Sequence, residues 1–122
     1  MIKFFNCHVD KRFCIIEIVI DRLLFMESST ILDGLKHKIT ELDYPNLILD
    51  MDRVKTLDSS GIGLLISINR LMDTHMKKLA IVNDDPNVQR LLRNAGLEKY
   101  FQIFNKLGDA TSYFLSNEKA SN

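Results

Sequence analysis

The run Phe13-Cys14-Ile15-Ile16-Glu17-Ile18-Val19-Ile20 constrains this chain more than any other stretch. β-Branched side chains are stiff at χ1 and sit well on a pleated surface, so the run predicts a strand. Its nearly continuous apolar character predicts a central strand covered on both faces. Phe4 to Val9 precedes it across the charged turn Asp10-Lys11-Arg12, which predicts a β-hairpin.

Beyond the hairpin, strand-like and helix-like segments alternate. Leu23-Leu24-Phe25-Met26 is apolar without a period and fits a short strand or a packed loop. Ser28-Ser29-Thr30 predicts an N-cap for a helix carrying Ile31, Leu32, Leu35 and Ile39. That helix should end near Leu42, because Tyr44 precedes Pro45. Leu47 to Met51 predicts a buried strand, Ser60 to His75 a helix, and Lys78 to Val82 another strand. Asp85-Pro86 opens a helix with Val88, Leu91, Leu92 and Ala95 on one face, and Gly96 closes it. Tyr100 to Phe104 predicts a last strand, Asp109 to Leu115 a last helix, and Asn117 to Asn122 a frayed polar tail. The order β-β-α-β-α-β-α-β-α predicts one α/β domain over 1–116. Its sheet should be mostly parallel with an antiparallel first strand, accompanied by about four helices.

Composition narrows the function classes. Sixteen basic and sixteen acidic side chains cancel, which argues against nucleic acid as a partner. No apolar stretch approaches the ~20 residues of a membrane span. The opening residues lack the apolar core of a signal peptide, so direct membrane insertion is not expected and the cytoplasm is the expected location. Cys7 and Cys14, the only cysteines, fall in the two hairpin strands and read as small buried hydrophobes rather than a disulfide or ligands.

Catalytic and metal motifs are missing. Ser59 lacks the glycine of a nucleophile elbow. His8, His37 and His75 have no acidic neighbour at triad spacing and read as surface residues. There is no H-x-x-x-H, no C-x-x-C and no calcium-loop spacing, and Gly61-Ile62-Gly63 fits neither phosphate-binding glycine motif. A serine needs an activating partner, so an enzyme using Ser59 is not expected. No catalytic residue, metal or cofactor is assigned.

What stands out is "TLDSSGIGLL", Thr56 to Leu65, between a strand and a helix. Asp58 or Ser59 can simply cap the helix, with Gly61 and Gly63 permitting close packing. A hydroxyl there can also carry a phosphate, since the helix N-terminus and its dipole accommodate an anion. Such a phosphate would act outward on a partner more than on the fold.

The stretch "LILDMDRVKTLDSSGIGLLISINRLM", Leu47 to Met72, resembles the signature of the STAS domains, the sulphate-transporter and anti-sigma-factor-antagonist modules of bacteria. Asp50 stands at the strand end, and Asp58, Ser59, Ser60, Gly61, Ile62, Gly63 and Leu65 fit "D-S-[ST]-G-[LIV]-G-x-[LI]". "KLAIVNDDPNVQRLLRNAGLEKYFQIF" resembles the next family segment through Pro86, Val88, Arg90, Leu91, Leu92, Gly96 and Leu97, with Ala95 where Ser or Thr is frequent.

The resemblance implies a non-enzymatic switch. Ser59 is the implied phosphoacceptor and Ser60 the second candidate. Unphosphorylated, such a protein binds an anti-sigma factor that is often itself the serine kinase; a PP2C-type phosphatase removes the phosphate. The implied partner surface comprises Asp58, Ser59, Ser60 and Gly61, joined by Arg22, Leu23 and Leu24 from the loop after the second strand. That loop departs from the "G-[ED]-[LI]-[DN]" of sigma-regulating members: Asp21-Arg22-Leu23-Leu24 stands there, with Arg22 reversing one charge. The alternative implied by the family is a non-sigma adaptor subunit of a transport complex or stress-signalling assembly.

Overall fold

The computed structural model describes residues 3–120, with side chains as far as Ser116. The elements are β1 (Phe5–Val9), β2 (Cys14–Ile18), β3 (Arg22–Leu23), α1 (Phe25–Glu41), β4 (Leu47–Asp50) and β5 (Thr56–Leu57). They continue with α2 (Ser59–Thr74), β6 (Leu79–Val82), α3 (Pro86–Asn94), a 3-10 turn (Leu97–Lys99), β7 (Gln102–Phe104) and α4 (Leu107–Ala120). The main sheet has the order β1-β2-β4-β6-β7. β1 runs antiparallel to β2, and every other neighbour is parallel. This is the predicted mixed sheet with four α-helices.

Two helical layers explain the burial. Leu47 and Leu49 of β4 join Leu79 and Ile81 of β6 in the larger core, with Ile31 and Leu35 of α1, Leu65 and Ile68 of α2, and Val88 and Leu92 of α3. On the opposite face, Ile48, Ala80 and Val82 pack with Phe13, Ala110 and Phe114, the last two from α4. Each fully buried Leu or Ile contributes about 1.5–3 kcal/mol relative to exposure.

Three details differ from the sequence reading. β4 and β6 are the strands buried at every position, whereas β2 alternates between buried and half-buried residues. β2 lies beside the edge strand, where the layer formed by α4 no longer covers it fully. Second, α1 begins at Phe25, ahead of the serine cluster. Ser28 is buried inside the helix, and its Oγ donates to the Leu24 carbonyl at 2.8 Å. Third, Cys7 is exposed, because β1 is an edge strand, while Cys14 is buried.

Helix ends follow their expected chemistry. Asp85 caps α3 through Asn87 and Val88 N–H, with Pro86 in the first turn. Gly96 takes φ +73° just beyond it, a conformation favouring glycine. α1 ends at Glu41, and Tyr44 before Pro45 leaves the helix at φ +54°. α4 starts two residues before Asp109 and continues through Ala120. Ser121 and Asn122 of the expected tail lie outside the described residues.

Candidate functional site

The segment after β2 and the segment after β4 meet at one end of the sheet. Arg22-Leu23 and Thr56-Leu57 pair as a small parallel sheet of their own. Lys55 N–H donates to the Asp21 carbonyl at 2.7 Å and extends this pairing. The aperiodic stretch after Ile20 therefore begins as a strand, and its partner lies 34 residues on.

This pairing aims Asp58 between two helix N-termini. Its Oδ1 accepts from Ser60 N–H at 2.9 Å and Gly61 N–H at 3.3 Å, capping α2. Its Oδ2 accepts from Phe25 N–H, the first residue of α1, at 3.1 Å. Leu24, the residue preceding α1, supplies no side-chain cap of its own. One carboxylate thus serves both helices, and charge-assisted bonds to N–H groups are the stronger kind. Local sequence could not show this for α1, because its acceptor lies 33 residues away.

Gly61 makes the junction possible. A Cβ there would lie 2.6 Å from the Leu23 carbonyl oxygen and 3.0 Å from Leu57 Cβ. Gly63 is different: a Cβ there would meet nothing within 4 Å. The two glycines share a motif but not a reason.

Ser59 is the first residue of α2 and is exposed; Ser60 is half-buried. Ile62, Gly63 and Ile66 follow Ser59 at i+3, i+4 and i+7, so they share its face of the helix. Phe25, whose N–H is bonded to Asp58, and Met26 are 74% and 83% exposed. An open groove of about 670 Å³ runs past them, lined also by Phe4, Ile20, Leu24 and Asp58. Arg22 Nε pairs with Glu27 Oε1 at 3.0 Å along it, while Glu27 Oε2 is buried with no hydrogen-bond partner. Leu23, expected among the surface contacts, is fully buried; Phe25 and Met26 hold the exposed positions. Their exposure has no sequence signal, since an apolar run reads equally as core.

Sequence reasoning also missed Asn83. It is fully buried, and its Nδ2 donates to the carbonyls of Met51 at 2.7 Å and Val54 at 3.1 Å. Its Oδ1 accepts from Asp85 N–H at 2.8 Å. Asn83 thereby braces the loop that delivers β5 and Asp58. The available signal was a lone amide closing the apolar strand "KLAIV" before Asp84-Asp85-Pro86. Nearby, burial raises the Asp50 carboxyl above its usual range, and burial with the Asp84 charge does the same to Asp52.

The histidines lie on three different elements. His8 is on β1, and His37 is on α1 at 3.7 Å from Glu41. His75 caps the far end of α2, a helix about 24 Å long at 1.5 Å per residue. It is half-buried and stacks on Tyr44 with ring centroids 3.5 Å apart, rather than lying open on the surface.

A mixed five-stranded sheet with helices on both faces, and a helix entered through Asp-Ser-Ser-Gly at its edge, define a small α/β domain of the sulphate-transporter and anti-sigma-factor-antagonist kind. The chain belongs to the STAS domain family, which matches residues 5–110. Solved structures share the fold. An anti-sigma factor antagonist from Mycobacterium paratuberculosis is 17% identical with a TM-score of 0.80, covering 90% of this chain and 92% of the other. The Bacillus cell fate determinant SpoIIAA in its phosphorylated form is 18% identical with a TM-score of 0.67, over 89% and 97%. A sulfate transporter family protein from Wolinella succinogenes is 20% identical with a TM-score of 0.73, over 88% of each. No curated protein matches the chain by sequence. Among the described residues, no helix is long and apolar enough to cross a membrane.

Proposed function

We propose that this chain is an anti-sigma factor antagonist-like regulatory protein, cytoplasmic and non-enzymatic, switched by phosphorylation of Ser59. In its unphosphorylated form it binds an anti-sigma factor with serine kinase activity, and a PP2C-type phosphatase reverses the modification. The observation that carries this reading is the position of Ser59: exposed, first in α2, and directly after the aspartate that caps two helices. Ser60 N–H and Gly61 N–H are already bonded to Asp58, so a phosphate on Ser59 competes with a carboxylate for them. Its roughly −2 charge is therefore presented to whatever lies over the site.

The partner surface of this reading joins Ser59, Ile62, Gly63 and Ile66 on α2 to Phe25 and Met26. Glycine costs about 1 kcal/mol in a helix interior relative to alanine. Gly63 has no intramolecular crowding to account for that cost, so the close approach it permits is that of a partner backbone. Asp58, Gly61, Leu23 and Leu24 then shape the surface, Ser60 is the secondary acceptor, and Arg22 with Glu27 contributes charge selectivity along the groove.

Incubation with the candidate kinase and ATP, followed by peptide mass spectrometry, tests the switch. Label on Ser59 that disappears in Ser59→Ala supports it; label on neither Ser59 nor Ser60 refutes it. The second reading, a non-sigma adaptor of a transport or stress assembly, is favoured by Arg22 in place of an acidic residue. Affinity capture that recovers a permease or transport ATPase and no kinase would select it.

A further inference from the structure

Cys7 and Cys14 lie on the same face of the β1–β2 hairpin, diagonally across the ladder. Cys7 is opposite Ile16, and Cys14 is opposite Val9. Their Sγ atoms are 3.2 Å apart, and both are free thiols. Cys7 is exposed on the edge strand, and Cys14 is buried beneath it. A disulfide requires sulfurs about 2.05 Å apart, so roughly 1 Å of approach separates this pair from a bond. The Ser59 switch involves neither residue.

We propose that Cys7 and Cys14 form a reversible redox pair, oxidised to an intramolecular disulfide by low-molecular-weight disulfides such as oxidised glutathione. Cys7 is the entry thiol because the small disulfide can reach it. The Cys7 thiolate attacks one sulfur of that disulfide, forming a mixed disulfide on Cys7 and expelling one small thiolate. Cys14 Sγ then attacks Cys7 Sγ. The Sγ–Sγ bond forms, the mixed bond breaks, and the second small thiol departs with the proton of Cys14. Two protein thiols lose two electrons, and one small disulfide becomes two thiols. Burial, with the Cys7 contact, pushes the Cys14 thiol up to about 12, so Cys7 rather than Cys14 makes the first attack, and Cys14 passes its proton to the departing small thiolate as its own sulfur attacks. The product ties the edge strand to β2, leaving the Asp58 junction untouched.

Oxidised glutathione added to the full chain, followed by intact-mass analysis and peptide mapping, tests the pair. Wild type is expected to lose two hydrogens, form no intermolecular disulfide, retain no adduct and resist maleimide at the exposed Cys7 until dithiothreitol is added. Cys14→Ala is expected to stop at a glutathione adduct on Cys7. Cys7→Ser, a change at an exposed position, is expected to gain neither adduct nor cross-link. In the oxidised wild type, amide exchange along β1 should slow. A stable Cys7 adduct on wild type, or a disulfide-linked dimer through Cys7, overturns the proposal, and both readings survive even if Cys14→Ala does not fold.

Discussion

Replacing each glycine of the motif with alanine separates what the fold requires from what a partner requires. At Gly61 the new methyl would sit 2.6 Å from the Leu23 carbonyl oxygen, 3.0 Å from Leu57 Cβ and 3.3 Å from Leu23 Cγ. The nearest atom is backbone, held in the β3–β5 pairing, so it cannot rotate away. Overpacking of this kind costs about 1–3 kcal/mol, and the upper end applies where the obstacle is main chain. Alanine recovers up to about 1 kcal/mol of helix propensity, leaving Gly61→Ala destabilised by about 2 kcal/mol. At Gly63 nothing opposes the methyl, so Gly63→Ala gains about 0.5–1 kcal/mol. Urea denaturation measures both, and with a slope near 2 kcal/mol/M the Gly61→Ala midpoint falls by about 1 M while that of Gly63→Ala rises. If the proposed contact face includes Gly63, partner affinity should fall independently of stability there, because the added methyl would intrude on the approaching partner. Equal midpoints for the two variants would refute the packing argument. A stabilised Gly63→Ala with undiminished partner binding would refute the reading of its face as a contact.

Asp58→Ala removes the cap of α2 and the acceptor of Phe25 N–H, and should cost about 1–2 kcal/mol in thermal unfolding; Asp58→Asn, which keeps an acceptor oxygen, should lose less. Ser59→Asp should weaken partner binding by about tenfold or more in calorimetry, a loss of at least about 1.4 kcal/mol, with the melting temperature close to wild type. Asn83→Leu strands the buried carbonyls of Met51 and Val54 and should cost about 3 kcal/mol by denaturant unfolding. The raised carboxyl of Asp50 makes the native state hold its proton more tightly than the unfolded chain does. Its contribution is complete below the unfolded value and is lost as pH rises through the higher folded value. Asp50→Asn should therefore be more stable than wild type at neutral pH, with the gap closing on acidification, as melts across pH will show.

The sequence carried the sheet because its signals there are local. Period-two and continuous apolar runs, the Asp85-Pro86 start and the Gly96 stop need no distant partner, and each matched within a few residues. What it could not carry was built from pairs far apart in the chain. α1 borrows its cap from Asp58, so its start looked displaced to the nearest serines. β3 is a strand only because Thr56-Leu57 lies beside it. Leu23 and Phe25 are two positions apart in one apolar run, yet one is fully buried and the other 74% exposed. That difference arises from where α1 begins. The Asp-Ser-Ser-Gly motif was legible as a helix cap, but the distinction between Gly61 and Gly63 required the position of a carbonyl from another segment.

The shared cap bears on how a phosphate at Ser59 would be felt. An open helix N-terminus could fold its N–H groups around the new anion and neutralise it locally. Here Ser60 and Gly61 donate to Asp58 Oδ1, Ile62 donates to the Asp58 carbonyl, and Asp58 Oδ2 holds Phe25. Displacing the carboxylate would uncap α1 as well as α2, so the cap resists replacement. A phosphate would then be left facing outward, next to a carboxylate of like charge that itself lines the groove with the exposed Phe25 and Met26. A partner that buries those apolar groups would have to desolvate the phosphate with them, which is costly for an unpaired charge. Under the proposed switch, the same aspartate that stabilises the fold would convert a phosphate on Ser59 into a change in affinity.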